Sequence, residues 1–219
     1  LHDLRRFDRV MFGAFVRAAT PIIFNDMIWA IGNSMITIIM GRMGKEFVAA
    51  NSINSVVMQF ASVALMGTSS AAAAIIGNTI GEYDRARDRA RTLMYIAAMI
   101  GVAAGVLIFT IRPFILGFYN ITEVTRSYAM SFMAITSVLV FFMAQSSVSM
   151  MGLSGRKFVM VIDVIFMWMI CIPLGYIAGL RLGLAAPIVY FIIKCDEMIK
   201  SVIGAVRVYR GRWIRDMTV

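Results

Sequence analysis

The feature that most restricts this 219-residue chain is a succession of apolar runs at residues 18–40, 50–76, 92–116, 128–151, 158–180 and 183–206. At about 1.5 Å per residue, each run is long enough as a helix to cross a hydrocarbon core of ~30 Å. In lipid, backbone groups find no water and must bond within their own segment, which favours helices. Hydrophobic residues make up 60% of the chain and charged residues 15%, far from the balance of a soluble domain. The expectation is an all-α integral membrane protein with six transmembrane helices, so function is to be sought between helices.

Arg and Lys then orient the runs, because segments that stay cytoplasmic retain positive charge near span ends. Arg5, Arg6, Arg9 and Arg17 precede the first run, and Arg85, Arg87, Arg89 and Arg91 lie between the second and third. Arg156 and Lys157 separate the fourth from the fifth, and Arg207, Arg210, Arg212 and Arg215 follow the last. The alternate connections hold only Arg42, Lys45, Arg126 and Arg181. Both termini are therefore expected in the cytoplasm of a multi-pass protein of the cell membrane, the inner membrane in a bacterium. The organisation expected is an interfacial cytoplasmic connector (1–17), a transmembrane lobe (18–206) and a basic cytoplasmic tail (207–219). In the connector Leu4, Phe7, Met11 and Phe15 recur at helical spacing among arginines, as in a helix lying on a membrane surface. The chain opens at Leu1 without a Met or a cleavage signal, and is expected to be the middle of something longer. The net charge of +9 comes from these scattered residues and no nucleic-acid module is recognisable, so no nucleic-acid partner is expected.

The polar residues inside the runs carry the functional signal. "PIIFNDMIWAIG" places Asn25 and Asp26 in an otherwise apolar stretch. An ionised carboxylate near the bilayer centre costs about 2.5–3.5 kcal/mol on insertion scales, so Asp26 should face protein or water. At 100° per residue Asn33 and Thr37 lie about 20° to either side of Asp26, with Trp29 roughly 60° away, forming one stripe. Pro21 near the inner end is compatible with a helix start or a kink that would leave carbonyls near the carboxylate as cation ligands. In the second run Asn51, Ser55, Met58, Ser62 and Ser69 share a face within about 60°, with Asn54 and Gln59 at its edges. Both stripes would equally serve as interhelical glue. Asp163, shallow in the fifth run, is the second acid candidate for ion or substrate binding, and Pro173 in that run predicts a kink. In the last run Lys194 with Glu197 and Asp196 with Lys200 have the spacing of intrahelical ion pairs, which reads as structural.

Enzyme chemistry finds no support. The single histidine, His2, lies outside the runs, "GNTIG" lacks the Lys-Ser/Thr of a phosphate loop, and Cys171 and Cys195 have no metal-ligand spacing. Nineteen Met residues suit a soft wall for ligands of varied shape, although Met also fills membrane helices without such a purpose.

"PIIFNDMIWAIGNSMITIIMGRMG", "AANSI", "AAAAIIGNTIGEYDRARDRA", "FMWMICIPLGY" and "GRWIRD", in this order among six runs, resemble the carboxy-terminal half of multidrug and toxic compound extrusion (MATE) transporters. That resemblance implies one six-helix lobe of a twelve-helix secondary antiporter that exports drugs and organic cations in exchange for Na⁺ or H⁺. It further implies that Asp26 matches an acid, more often Glu, that serves coupling in part of the family, and that Asp163 with Trp168 matches an Asp and Trp before the Pro-Leu-Gly. "MMGLSGRKF" departs from the family by lacking an acid in the turn before the fifth span, and the amino-terminal lobe is missing.

The site expected is thus Asn25, Asp26, Trp29, Asn33, Thr37, Asn51, Ser55, Met58 and Asp163, with Asp26 as a possible Na⁺ ligand and no cofactor beyond the coupling ion. The expected partners are amphipathic or cationic small molecules, the bilayer, and a missing lobe or second half. Alternatives are a lipid-linked precursor flippase of related architecture, which needs a basic cavity, and a non-transporting scaffold whose stripes only join helices.

Overall fold

A computed structural model of the chain describes residues 9–77, 83–152 and 156–210. Among them the structure is helical with short connections and no strand. Four long helices come first: α1 (Arg9–Met43), α2 (Lys45–Gly77), α3 (Tyr83–Gly117) and α4 (Glu123–Ser146), the last extended by a π-helical turn over Ser147–Gly152. Only Gly44 separates α1 from α2, at φ 132°, a conformation that a Cβ would make costly. Thr122 caps α4, its hydroxyl accepting from Thr125 N at 3.3 Å. Residues 9–17 of the expected connector continue into the first span as one helix, while residues 1–8 and the tail beyond 210 lie outside the described residues.

The fifth span is composite. It comprises α5 (Arg156–Phe166), a π-helical turn (Met167–Cys171), the five-residue α6 (Ile172–Tyr176) and a second π-helical turn (Ile177–Arg181). Pro173 sits in the short segment between the two wide turns, where its missing N–H interrupts the regular ladder. Among the described residues five stretches are long and apolar enough to cross a membrane: Ile23–Met43, Lys45–Gly77, Arg85–Gly117, Glu123–Ser149 and Val161–Arg181. The sixth run differs from the single span expected. It is broken at Cys195 into α7 (Ala186–Lys194) and α8 (Asp196–Arg210). Asp196 and Glu197 fill the first turn of α8, where the positive end of a helix dipole favours carboxylates.

Two apolar clusters hold the bundle. One joins α2, α4 and α7 through Phe47, Phe132 and Tyr190; the Phe132 and Tyr190 rings stack at 4.4 Å. The other, around Ile76, Leu93, Met94, Val148 and Val208, joins the opposite ends of α2 and α3 to the π-helical turn after α4 and to α8. Between α3 and α4 the backbones nearly touch. A Cβ on Gly101 would lie 2.9 Å from Phe141 Cα, and one on Gly105 would overlap Ser137 O. Glycines four apart on one face permit such close packing, which carries much of helix association in membranes.

Candidate functional site

A cavity of about 460 Å³ opens between α1, α2, α4, α7 and α8. α1 contributes Trp29, Asn33 and Thr37, and α2 contributes Asn51, Asn54, Ser55, Met58, Gln59 and Ser62. Six of the residues expected from the sequence thus meet in one wall: Trp29, Asn33, Thr37, Asn51, Ser55 and Met58. Each set is a stripe because side chains three or four apart share a helix face. α1 adds Ile36 and Met40, and further lining residues come from elements whose part in the site the sequence did not reveal: Thr136, Leu139 and Met143 on α4, Tyr190 and Lys194 on α7, and Glu197 on α8. Met40, Met58 and Met143 supply a polarizable apolar surface among the polar groups.

The hydrogen bonding gives this wall a polarity. Thr37 Oγ1 donates to Asn33 O at 2.9 Å, Ser55 Oγ to Asn51 O at 2.8 Å, and Ser62 Oγ to Gln59 O at 2.8 Å. Asn33 Nδ2 donates to Trp29 O at 3.1 Å. The hydroxyl donors are spent on their own helix, which leaves their oxygens as acceptors, while the amides of Asn33, Asn51 and Gln59 offer both N–H donors and acceptor oxygens. Deeper in, Asn54 Nδ2 donates to Tyr190 Oη at 2.6 Å, and Tyr190 Oη shares a 3.0 Å hydrogen bond with Thr136 Oγ1. Asn54 is 1% exposed, and its Oδ1 has no hydrogen-bond partner among the described residues. Among the described residues the wall therefore presents hydroxyl oxygens, amide groups and the Glu197 carboxylate, opposed by the Lys194 ammonium.

Behind Glu197 lies a charged knot. Lys200 Nζ is 2.7 Å from Asp196 Oδ2, 2.8 Å from Asp163 Oδ1 and 3.9 Å from Glu197 Oε1. Ser146 Oγ donates to Glu197 Oε2 at 3.1 Å. The knot ties α5 and α4 to α8 and includes the expected Asp196–Lys200 pair, whereas Lys194 and Glu197 face the cavity without pairing with each other.

The three remaining expected residues are not in the wall. Asp163 is held by Lys200 in the knot. Asp26 is exposed and Asn25 half-buried, both on α1 about one turn before Trp29, and Asp26 has no ion-pair partner among the described residues. No group of three or more His, Cys, Asp or Glu able to hold a metal ion occurs among the described residues, so Asp26 is not part of such a cage.

The MatE family model matches residues 21–177, from the first polar stripe through the composite fifth span. The chain belongs to the MatE family. No curated protein matches it. Among solved structures it is similar to a MOP superfamily transporter from Pyrococcus furiosus Vc1 (DSM3638), with a TM-score of 0.75 and 16% identity over 91% of this chain. For that protein, reverse polarity of the binding pocket is said to suggest a different function. This MatE chain spans 45% of the length of that transporter. Its all-α membrane fold is thus shared with part of that structure, and the α1 and α2 residues that build most of the cavity wall lie within the family match.

Proposed function

We propose that the chain is the carboxy-terminal lobe of a cation-coupled secondary antiporter that exports drugs and organic cations by alternating access in the cell membrane, with both termini cytoplasmic. The observation that carries this reading is the polar wall of the cavity, with hydroxyl and amide oxygens beside the Glu197 carboxylate. A cationic ligand would meet the Glu197 carboxylate, the Thr37 and Ser55 hydroxyl oxygens and the Trp29 ring, which attracts cations through its π face. Asp26, a turn away on α1, extends that acidic surface and is the proposed site at which Na⁺ or H⁺ is exchanged. The ion biases one state over the other by its differential affinity, as any coupled carrier requires. An amino-terminal lobe, or a second copy, would close the cavity from the open side of α1.

A flippase for lipid-linked precursors would need a basic interior. Among the described residues the lining holds one acid and one base, Glu197 and Lys194, which does not favour that alternative. A scaffold would use the stripes to join helices; Asn54 and Ser69 do so, bonding to Tyr190 and Ser147, while Asn33, Thr37 and Ser55 bond to their own helix and leave the cavity side of the stripes to a ligand.

The test is uptake of radiolabelled tetraphenylphosphonium into inverted vesicles containing the intact protein, under an imposed Na⁺ or H⁺ gradient. Gradient-driven uptake is expected, with Asp26→Asn abolishing the ion dependence and Glu197→Gln weakening cation binding. Absence of uptake under either gradient, or uptake indifferent to both variants, overturns the proposal.

A further inference from the structure

A second concavity, of about 540 Å³, lies on the far side of α1, between that helix and the fifth span. Its walls include Ile38, Pro173, Tyr176 and Ile177, and it is also lined by Arg42 and Arg181. At roughly 100° per residue, the α1 residues lining it point about 150° away from those lining the cavity. The two concavities are therefore separate.

Arg42 lies in the last turn of α1 and Arg181 ends the π-helical turn that closes the fifth span, so the guanidiniums sit where both spans finish. Both side chains are exposed and neither has an ion-pair partner among the described residues. A helix C-terminus favours a nearby cation, which accounts for each arginine singly. It does not account for their convergence on one apolar groove, on the side where the charge asymmetry leaves few basic residues. Two like charges above an apolar channel suit a molecule that is anionic at one end and apolar along its length. A guanidinium pairs with phosphate through two parallel donors, and the walls lie within Ile23–Met43 and Val161–Arg181, at membrane depth. A water-soluble anion would leave Ile38 and Ile177 uncovered.

We infer that this groove binds an anionic phospholipid, its phosphate held by Arg42 and Arg181 and an acyl chain laid along Ile38, Pro173 and Ile177. The site is independent of what the cavity transports.

The intact protein, delipidated in detergent, is titrated with phosphatidylglycerol or phosphatidylcholine and the adducts are counted by native mass spectrometry. Phosphatidylglycerol should bind at about tenfold lower concentration than the zwitterionic lipid. The double variant Arg42→Gln with Arg181→Gln should lose that preference. Arg42→Lys with Arg181→Lys should keep most of it, and Arg126→Gln, outside the groove, should keep all of it. Equal binding of the two lipids, or a preference that survives in the double Gln variant, overturns the inference. Competition by glycerol 3-phosphate also overturns it, by showing a soluble-anion site. The melting temperature of each variant separates lost binding from lost folding.

Discussion

Lys200 Nζ lies 2.8 Å from Asp163 Oδ1, so the acid of the fifth span is tied to a helix that begins thirty-three residues later, at Asp196. This contact gives Asp163 a fixed partner and leaves Glu197 as the acid of the cavity wall. It also makes one ammonium the shared counterion of three carboxylates.

Removing that ammonium should be among the most damaging single changes in the chain. Lys200 is 8% exposed, and breaking a buried ion pair from one side costs roughly 3–5 kcal/mol because the partner charges stay behind. Lys200→Gln should lower the melting temperature of the purified protein sharply. Adding Asp196→Asn should restore part of the loss, and a double variant no more stable than the single one would count against a shared counterion.

The Asn54–Tyr190–Thr136 bridge joins α2, α7 and α4 at the base of the cavity. Interhelical hydrogen bonds in membrane proteins are worth about 0.6 kcal/mol on average and up to about 1.7. Tyr190→Phe keeps the stack on Phe132 and removes only the hydroxyl, so it should destabilise within that range. Asn54→Leu combined with Tyr190→Phe should be less harmful than the sum of the two, measured as a double-mutant cycle in unfolding.

Gly105 lies against the α4 backbone, where a side chain has no room. Gly105→Leu must separate α3 from α4, at a cost of roughly 1–3 kcal/mol or more if neither backbone yields. The neighbouring Val106 is 61% exposed. Val106→Leu should therefore be silent in expression and thermal stability, and equal effects at the two sites would show that the close approach is not needed.

Lys194 is the one basic group in the cavity lining among the described residues. If the ligand is an organic cation, Lys194→Gln removes a like charge and should tighten its binding by roughly tenfold, about 1.4 kcal/mol. Weakened binding in a tetraphenylphosphonium titration would instead mark Lys194 as a ligand for an anionic group and return the flippase to consideration.

Much of this architecture can be read along the chain, and the reason is that it is local. Apolar runs of spanning length specify helices because lipid leaves the backbone no other partner. The 3.6-residue period alone puts Trp29, Asn33 and Thr37 on one face of α1, and Asn51, Ser55 and Met58 on one face of α2. The GxxxG spacing of Gly101 and Gly105 was equally present in the sequence and signals close packing once the partner helix is known.

Periodicity within one helix says nothing of which helices meet. That Tyr190 reaches Asn54 across 136 positions, that Glu197 faces the α2 stripe, that Asp163 finds Lys200, and that the last run breaks at Cys195 all depend on packing between segments. A charge in an apolar run states that a partner must exist, because an unpaired one is too costly. The packed bundle selects the partner, since only it sets the distances over which charges and hydrogen bonds act.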